Sequence, residues 1–213
     1  MFWRARHMTA TGTFPSGSFR AVRRLARQEG GMAAVEFALI LPILVVLWIG
    51  GVEMTQALSI DRRLNNLASA IGDLSARSKQ LTYADVDNIF DIGPAALFPY
   101  SDTGLAMRVT AVDIDDSGDA TVAWTRKEGT LPGGVSDYEL GDSMNSVVPV
   151  DLRPSGTPGS QIIVAEVYYT YTPAVGYVIT GDLDLDDRMY FVPRLVQYVT
   201  LCESQDEDAT CWS

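Results

Sequence analysis

The stretch that decides the fold, Met32–Val52, reads MAAVEFALILPILVVLWIGGV and contains one charged residue in twenty-one, Glu36. As an α-helix rising about 1.5 Å per residue it extends roughly 31 Å, which matches the hydrocarbon thickness of a bilayer. The stretch therefore predicts a transmembrane helix, which we place at residues 32–53. Pro42 lies inside it and predicts a kink.

The charges on either side of this helix are sharply divided. Residues 1–31 hold six arginines and one acidic residue, a net charge of +5, whereas residues 32–213 hold 10 basic and 26 acidic residues, a net charge of −16. The positive-inside rule predicts a cytoplasmic leader at 1–31 and export of the acidic remainder. The leader begins at Met1 or, if translation starts later, at Met8.

The composition excludes several classes of function. The chain of 213 residues has one histidine, His7, in the leader. A Ser-His-Asp triad, a Cys-His pair and a multi-histidine zinc site therefore have no residue to use. The net charge of −11 argues against a general nucleic-acid binder. We expect neither an enzyme nor a cofactor, metal or nucleic-acid partner.

The helical pattern continues beyond the membrane. Apolar residues spaced three and four apart form one stripe, made of Ala57, Ile60, Leu64, Leu67, Ile71 and Leu74. The pattern predicts a single helix from about Met32 to Ser78, weakened by Gly72, whose second part at 54–80 extends on the exported side. We favour packing of the stripe against the exported domain over a coiled-coil partner.

Residues 81–213 predict a small α+β domain with an acidic C-terminal tail. Thr82 and Asp85 form a capping-box start for a short helix that Gly93-Pro94 should stop. The remaining pattern predicts strands at Leu105–Ile114, Ala120–Arg126, Gln161–Tyr171 and Arg188–Leu201, with a long loop over 127–160.

The junction before the helix resembles a type IV prepilin signal: a basic leader, then glycine, then an apolar helix whose fifth residue is Glu36. The resemblance implies that a prepilin peptidase cuts between Gly31 and Met32 on the cytoplasmic face. A plain membrane anchor and a cleaved secretory signal peptide are the alternatives.

Glu36 requires a physical explanation, because a carboxylate inside the hydrocarbon costs at least about 3 kcal/mol if it stays charged and alone. It could snorkel to the headgroups. The resemblance implies instead that Glu36 pairs with the new α-amino group at Met32 of a neighbouring subunit in an assembled filament.

The helix as a whole resembles the Tad-type pseudopilins called TadE and their relatives TadF and TadG. The matching core is Gly31, Ala34, Val35, Glu36, Phe37, Ala38, Leu39, Leu41 and Pro42, followed by an exit at Gly50 or Gly51 with Glu53 and a helix end near Arg77. Further along, similar segments are Val122-Ala123-Trp124, Ala165-Glu166-Val167 with Tyr169, Tyr171 and Pro173, and Val192-Pro193-Arg194. Val192 departs from the family's first arginine.

This resemblance implies a pilin-like fold and a role in Tad pilus assembly rather than catalysis. The implied partners are the inner membrane, the prepilin peptidase, other pilins or pseudopilins and the assembly platform. The α+β domain would face the periplasm of a Gram-negative cell. The alternative is an uncleaved single-pass membrane protein whose periplasmic domain binds a ligand or surface.

Three further features favour structural over chemical interpretations. Glu166 interrupts an apolar strand and is predicted to be a structural carboxylate paired with Arg194. Two acidic groups are predicted to be solvated turns rather than calcium loops, namely Asp113/Asp115/Asp116/Asp119 and Asp182/Asp184/Asp186/Asp187.

Cys202 and Cys211 are the two cysteines of the chain. In an exported domain they predict a disulfide that pins the C-terminus. A redox pair or a metal site would need CxxC spacing or more ligands.

Overall fold

The computed structural model describes residues 29–153, 159–173, 176, 181–206 and 209–213. The basic leader, with His7 and both candidate start methionines, lies outside the described residues, as does part of the acidic tail. The chain divides into two units, Met1–Trp48 and Ile49–Ser213.

One long helix, α1, covers Glu29–Ala76. Its apolar first part and the stripe in its second part agree with the sequence prediction, although it begins three residues before Met32. Pro42 lies inside it. The stripe is buried from Ala57 to Ile71, whereas Leu74, predicted to belong to it, is 44% exposed.

Two short helices follow the first strand, β1 (Gln80–Thr82). Helix α2 covers Tyr83–Phe90 and starts at the predicted capping box, in which Asp85 N–H donates to Thr82 Oγ1 at 3.1 Å and Thr82 N–H donates to Asp85 Oδ2 at 2.9 Å. The prediction that Gly93-Pro94 stops this helix is wrong. They lie inside helix α3, Ile92–Leu97, where Pro94 is tolerated because first-turn N–H groups have no acceptor within the helix.

The main sheet has four antiparallel strands in the order β3-β2-β4-β5. Their bounds are β2 Leu105–Ile114, β3 Ala120–Glu128, β4 Ser160–Tyr171 and β5 Leu183–Phe191. A second sheet has the order β1-β6-β7, with β6 at Thr200–Cys202 and β7 at Cys211–Trp212. The α+β prediction is confirmed.

The predicted strand Arg188–Leu201 is wrong in its bounds. β5 begins at Leu183 and ends at Phe191, so the second acidic group lies largely in a strand and not in a solvated turn. The chain then leaves the sheet at Val192-Pro193, since proline cannot donate to a strand ladder. Arg194 N–H donates instead to the Ala76 carbonyl at the end of α1.

The two faces of the main sheet bury different cores. The first core combines the α1 stripe with alternate residues of β2 and β4, including Met107, Val109, Ile163 and Val167. The second core combines the opposite residues, such as Val112 and Val164, with Met144 and Val148 of the segment 129–153. This segment, which also contains a 3₁₀ helix at Val150–Leu152, thus covers a sheet face rather than only connecting strands.

Candidate functional site

The candidate processing and assembly residues lie in the first turns of α1. Gly31 and Met32 are inside the helix, with Met32 77% exposed, and Glu36 is exposed one turn further on. Residues four apart share a helix face, so the Glu36 side chain lies on the same side of α1 as Met32.

The described residues contain one helix long and apolar enough to cross a membrane, Gly31–Ala76, and none of its most apolar window is buried within the protein. The large apolar side chains from Met32 to Trp48 are therefore available to lipid or to other helices. This helix is consistent with single-pass membrane anchoring.

The helix exit at Glu53 is held by the α+β domain. Glu53 is 2% exposed, and Gly176 N–H donates to its Oε1 at 2.9 Å. Nearby, the hydroxyl of Tyr171 donates to Gln56 Oε1 at 3.0 Å. Burial first, and then the Glu53 carboxylate and Tyr100, raise the pKa of Tyr171. The start of the second unit is thereby fixed to the end of β4.

A buried ionic cluster lies on the sheet face opposite α1. Arg108 on β2 donates to Glu166 Oε2 on β4 at 2.7 Å, and each side chain is 1% exposed. Arg188 on β5 donates to Glu166 Oε1 at 2.7 Å. The predicted partner Arg194 is wrong: it pairs with Asp73 of α1 at 2.9 Å. Glu166 faces Arg108 and Arg188 because these residues are its register partners in neighbouring strands.

Two tyrosines complete this cluster. The Tyr168 hydroxyl donates to Glu166 Oε1 at 3.0 Å and accepts from Arg108 at 3.1 Å. The Tyr138 ring lies 3.6 Å from the Arg108 guanidinium carbon, and the same arginine donates to the Ser136 carbonyl. The segment 129–153 is therefore fastened to the sheet at Arg108.

The pKa values of Tyr168 and Arg188 are shifted by burial and by the charge of one carboxylate, that of Glu166. Burial, and then the negative charge of Glu166, raise the pKa of Tyr168 to about 12 against the opposing effect of Arg108. Burial, the largest single effect, lowers the pKa of Arg188, but the Glu166 charge and the hydrogen bonds of Arg188 with Tyr190, Tyr168 and Glu166 together raise it, so its net direction is upward. Both Glu166 oxygens are engaged by guanidinium groups, an arrangement suited to holding three strands together rather than to moving a proton.

The predicted cysteine pair forms a disulfide, Cys202–Cys211, which joins β6 to β7. It holds Trp212 where its ring stacks on Tyr83 of α2, with centroids 5.9 Å apart. The Arg126 guanidinium carbon lies 4.6 Å from the centre of the Tyr83 ring, and Arg126 also pairs with Asp87. The disulfide thus pins the C-terminus to α2.

The acidic groups show no arrangement for metal binding in the described ranges, where no set of three or more His, Cys, Asp or Glu side chains could hold an ion. Asp115 instead accepts from the N–H groups of Ser117 and Asp119 in the β2–β3 turn. Asp113 is half-buried against Gln161, and burial raises its pKa.

Sequence reasoning missed the arginines of the ionic cluster. Arg108 interrupts the apolar run LAMRVTAV just as Glu166 interrupts VAEVYY. A basic residue at the centre of one buried strand and an acidic residue at the centre of another indicate that the two side chains pair. This pattern could have been used to predict the contact between Arg108 and Glu166.

The class defined by these observations is an α+β domain attached to one long, lipid-compatible N-terminal helix. Residues 31–72 match the model of the family described as TadE-like protein, which confirms the resemblance over about a fifth of the chain. No curated protein and no solved structure matched the chain. The matched segment contains Gly31, Met32, Glu36 and Glu53.

Proposed function

We propose that the protein is a Tad-type pseudopilin or minor pilin that takes part in pilus assembly and is not an enzyme. The TadE-like match at residues 31–72 indicates Tad pilus assembly in general. The observation that supports the finer role is the exposed apolar part of α1 with Glu36 one turn beyond Met32.

In the proposed sequence of events, the leader holds the N-terminus in the cytoplasm and a prepilin peptidase cleaves between Gly31 and Met32. The new α-amino group then lies on the helix face that presents Glu36. A carboxylate in hydrocarbon is costly alone, so pairing Glu36 with the amine of a neighbour favours helix association over dispersal in lipid.

The domain organisation follows from the same proposal. Residues 1–31 are the leader, 32–53 cross the inner membrane, 54–80 extend the helix and 81–213 form the periplasmic domain. The disulfide Cys202–Cys211 suits an oxidising compartment. Partners are the peptidase, other pilins or pseudopilins and the assembly platform.

Mass spectrometry of the protein extracted from membranes tests the cleavage. We expect an N-terminus at Met32 in cells that contain the peptidase and an intact leader in cells that lack it. Gly31→Leu should keep the leader, whereas the matched change Gly30→Ala should not. An intact leader in peptidase-containing cells would instead support an uncleaved, anchored binding or surface protein.

A further inference from the structure

The two edges of the main sheet differ in the described part of the chain. The outer edge of β3 is covered over Ala120–Val122: Val122 N–H donates to the Asp142 carbonyl, Gly141 and Met144 donate back to β3, and Thr121 bridges Ser143. Further along β3, Arg126 is paired with Asp87 of α2. Within the described residues, β5 has β4 on one side and no strand on the other.

The outward backbone groups of β5 can be identified from one hydrogen bond. Arg188 N–H donates to the side chain of Asp187 at 2.8 Å and not to β4. Backbone direction alternates along a strand, so Asp184, Asp186 and Tyr190 also direct their N–H and C=O groups away from β4. Apart from the Arg188 N–H, which the Asp187 side chain accepts, no hydrogen-bond partner of this row is found among the described residues, and such a row is a template for another strand.

A pocket of about 360 Å³ adjoins this edge on the face opposite α1. It is lined by the loop residues Gly133, Gly134 and Ser136, by Asp184, Asp186 and Arg188 of β5, and by Tyr138 and Tyr168. The single carboxylate of Glu166 is shared by Arg108 and Arg188. Asp184, Asp186 and Glu166 contribute three negative charges and the two arginines two positive charges, so these groups carry a net charge of −1. Asp184 also accepts from Thr170 at 2.9 Å.

The charges near the outer edge of β5 indicate which kind of partner fits it. Two copies of β5 paired antiparallel with Asp184 opposite Asp186 would bring like charges together, which disfavours self-pairing in that register. The basic residues of β3 do not provide an alternative, because Arg126 is paired with Asp87 and Lys127 with Asp137. The carboxylates of Asp184 and Asp186 beside the pocket favour a cationic side chain.

We propose that the outer edge of β5 is a docking surface for an extended segment of a partner protein that inserts a lysine or arginine side chain into the pocket beside Asp184 and Asp186. Backbone hydrogen bonds to β5 supply the pairing, and the pocket supplies the selectivity. This surface acts independently of leader cleavage at Gly31.

Titration of the purified full-length protein in detergent with a fluorescent peptide tests this surface. The peptide alternates valine and threonine and carries one central lysine. We expect saturable binding that weakens with salt, slowed amide exchange at Asp184 and Asp186, and no binding of the peptide with glutamate in place of lysine. Equal binding of the two peptides, or no binding of either, would overturn the proposal.

Two kinds of variant test the aspartate charges and the backbone hydrogen bonds of β5 separately. Asp184→Asn with Asp186→Asn should weaken peptide binding by roughly fivefold to tenfold, because two interstrand charge interactions are lost. Asp116→Asn, in the exposed β2–β3 turn, is the matched control and should leave the affinity unchanged. An unchanged affinity in the double variant would contradict the charge assignment.

Asp186→Pro removes an outward N–H without removing a hydrogen bond to β4. It should weaken binding more than Asp186→Asn does, and equal affinities would show that the edge is not used. A concentration-dependent dimer that Asp186→Pro abolishes would assign the edge to a second copy of the chain and overturn the choice of partner. If Asp186→Pro does not fold, amide exchange on β5 of the unaltered protein, with and without the peptide, tests whether the peptide binds this edge.

Discussion

Arg108 and Glu166 lie directly opposite each other on β2 and β4, joined at 2.7 Å, with 1% of each side chain exposed. A charge pair this deeply buried is strongly coupled to the packing around it. Removing one member leaves the other charge without compensation in a region that water cannot reach.

Glu166→Gln should therefore destabilise the α+β domain by about 3–5 kcal/mol. The free energy of unfolding, followed by the near-ultraviolet signal of buried Trp124 in denaturant, measures this loss. The matched control is Asp73→Asn in the more exposed pairs with Arg77 and Arg194, where we expect a loss of about 1 kcal/mol or less. Similar losses in the two variants would argue against a special role for the buried cluster.

The tyrosines predict a loss of stability in alkali. The pKa of Tyr168 is raised from 10.0 to about 12 in the folded protein, so between these values the unfolded chain releases a proton that the folded chain keeps. Stability is therefore fully present below about pH 10 and falls as the pH approaches 12. Tyr168→Phe should flatten this fall in melting temperature, whereas Tyr198→Phe should leave it in place. A steep fall that persists in Tyr168→Phe would assign it to other groups.

The disulfide predicts a local effect at the C-terminus. Replacing both Cys202 and Cys211 with alanine should lower stability by about 2–3 kcal/mol, because the short loop is no longer closed in the unfolded chain. The fluorescence of Trp212 should change as its stacking on Tyr83 loosens. A reductant should reproduce the shift in the unaltered protein and have no effect on the double variant.

Gly72 predicts an unusual response to alanine. A Cβ at this position would lie 2.3 Å from the Phe191 ring and 3.2 Å from the Ala165 Cβ, whereas a Cβ at Gly51 would meet nothing within 4 Å. Gly72→Ala should lower the melting temperature although alanine is the better helix former. Gly51→Ala, in the same helix, should not lower it, and thermal unfolding of both variants checks the contrast.

Substitution of Glu36 should impair assembly without impairing membrane insertion. Glu36→Ala should insert into the membrane at least as well as the unaltered protein, because a costly polar group is removed. Its incorporation into pili or assembly complexes should fall, as measured by the amount of protein recovered with sheared pili or with crosslinked neighbours. Normal incorporation would contradict the pairing mechanism.

Local features were the most predictable from the sequence. The capping box at Thr82 and Asp85 and the β2–β3 hairpin depend on residues close together in the chain, and both were correct. The partner of Glu166 was not, because strand register decides it and Arg188 is 22 residues away. The β-bulge at Ala123 could not be predicted for the same reason. At this residue the pairing of β2 with β3 shifts from Ala111–Trp124 to Val112–Val122. This bulge places Trp124 in the first core and Val122 in the second.

The covering of β3 by residues 141–144 has a consequence for stoichiometry. Among the described residues, residues 141–144 bridge Ala120–Val122 at one edge of the main sheet, whereas β5 at the other edge has no strand beside it. The bridged stretch of β3 is therefore not open to a second strand when a partner strand adds to β5 as proposed. The proposed addition at β5 thus has no matching full-length vacancy at the opposite edge from which a continuous ribbon of sheets would grow.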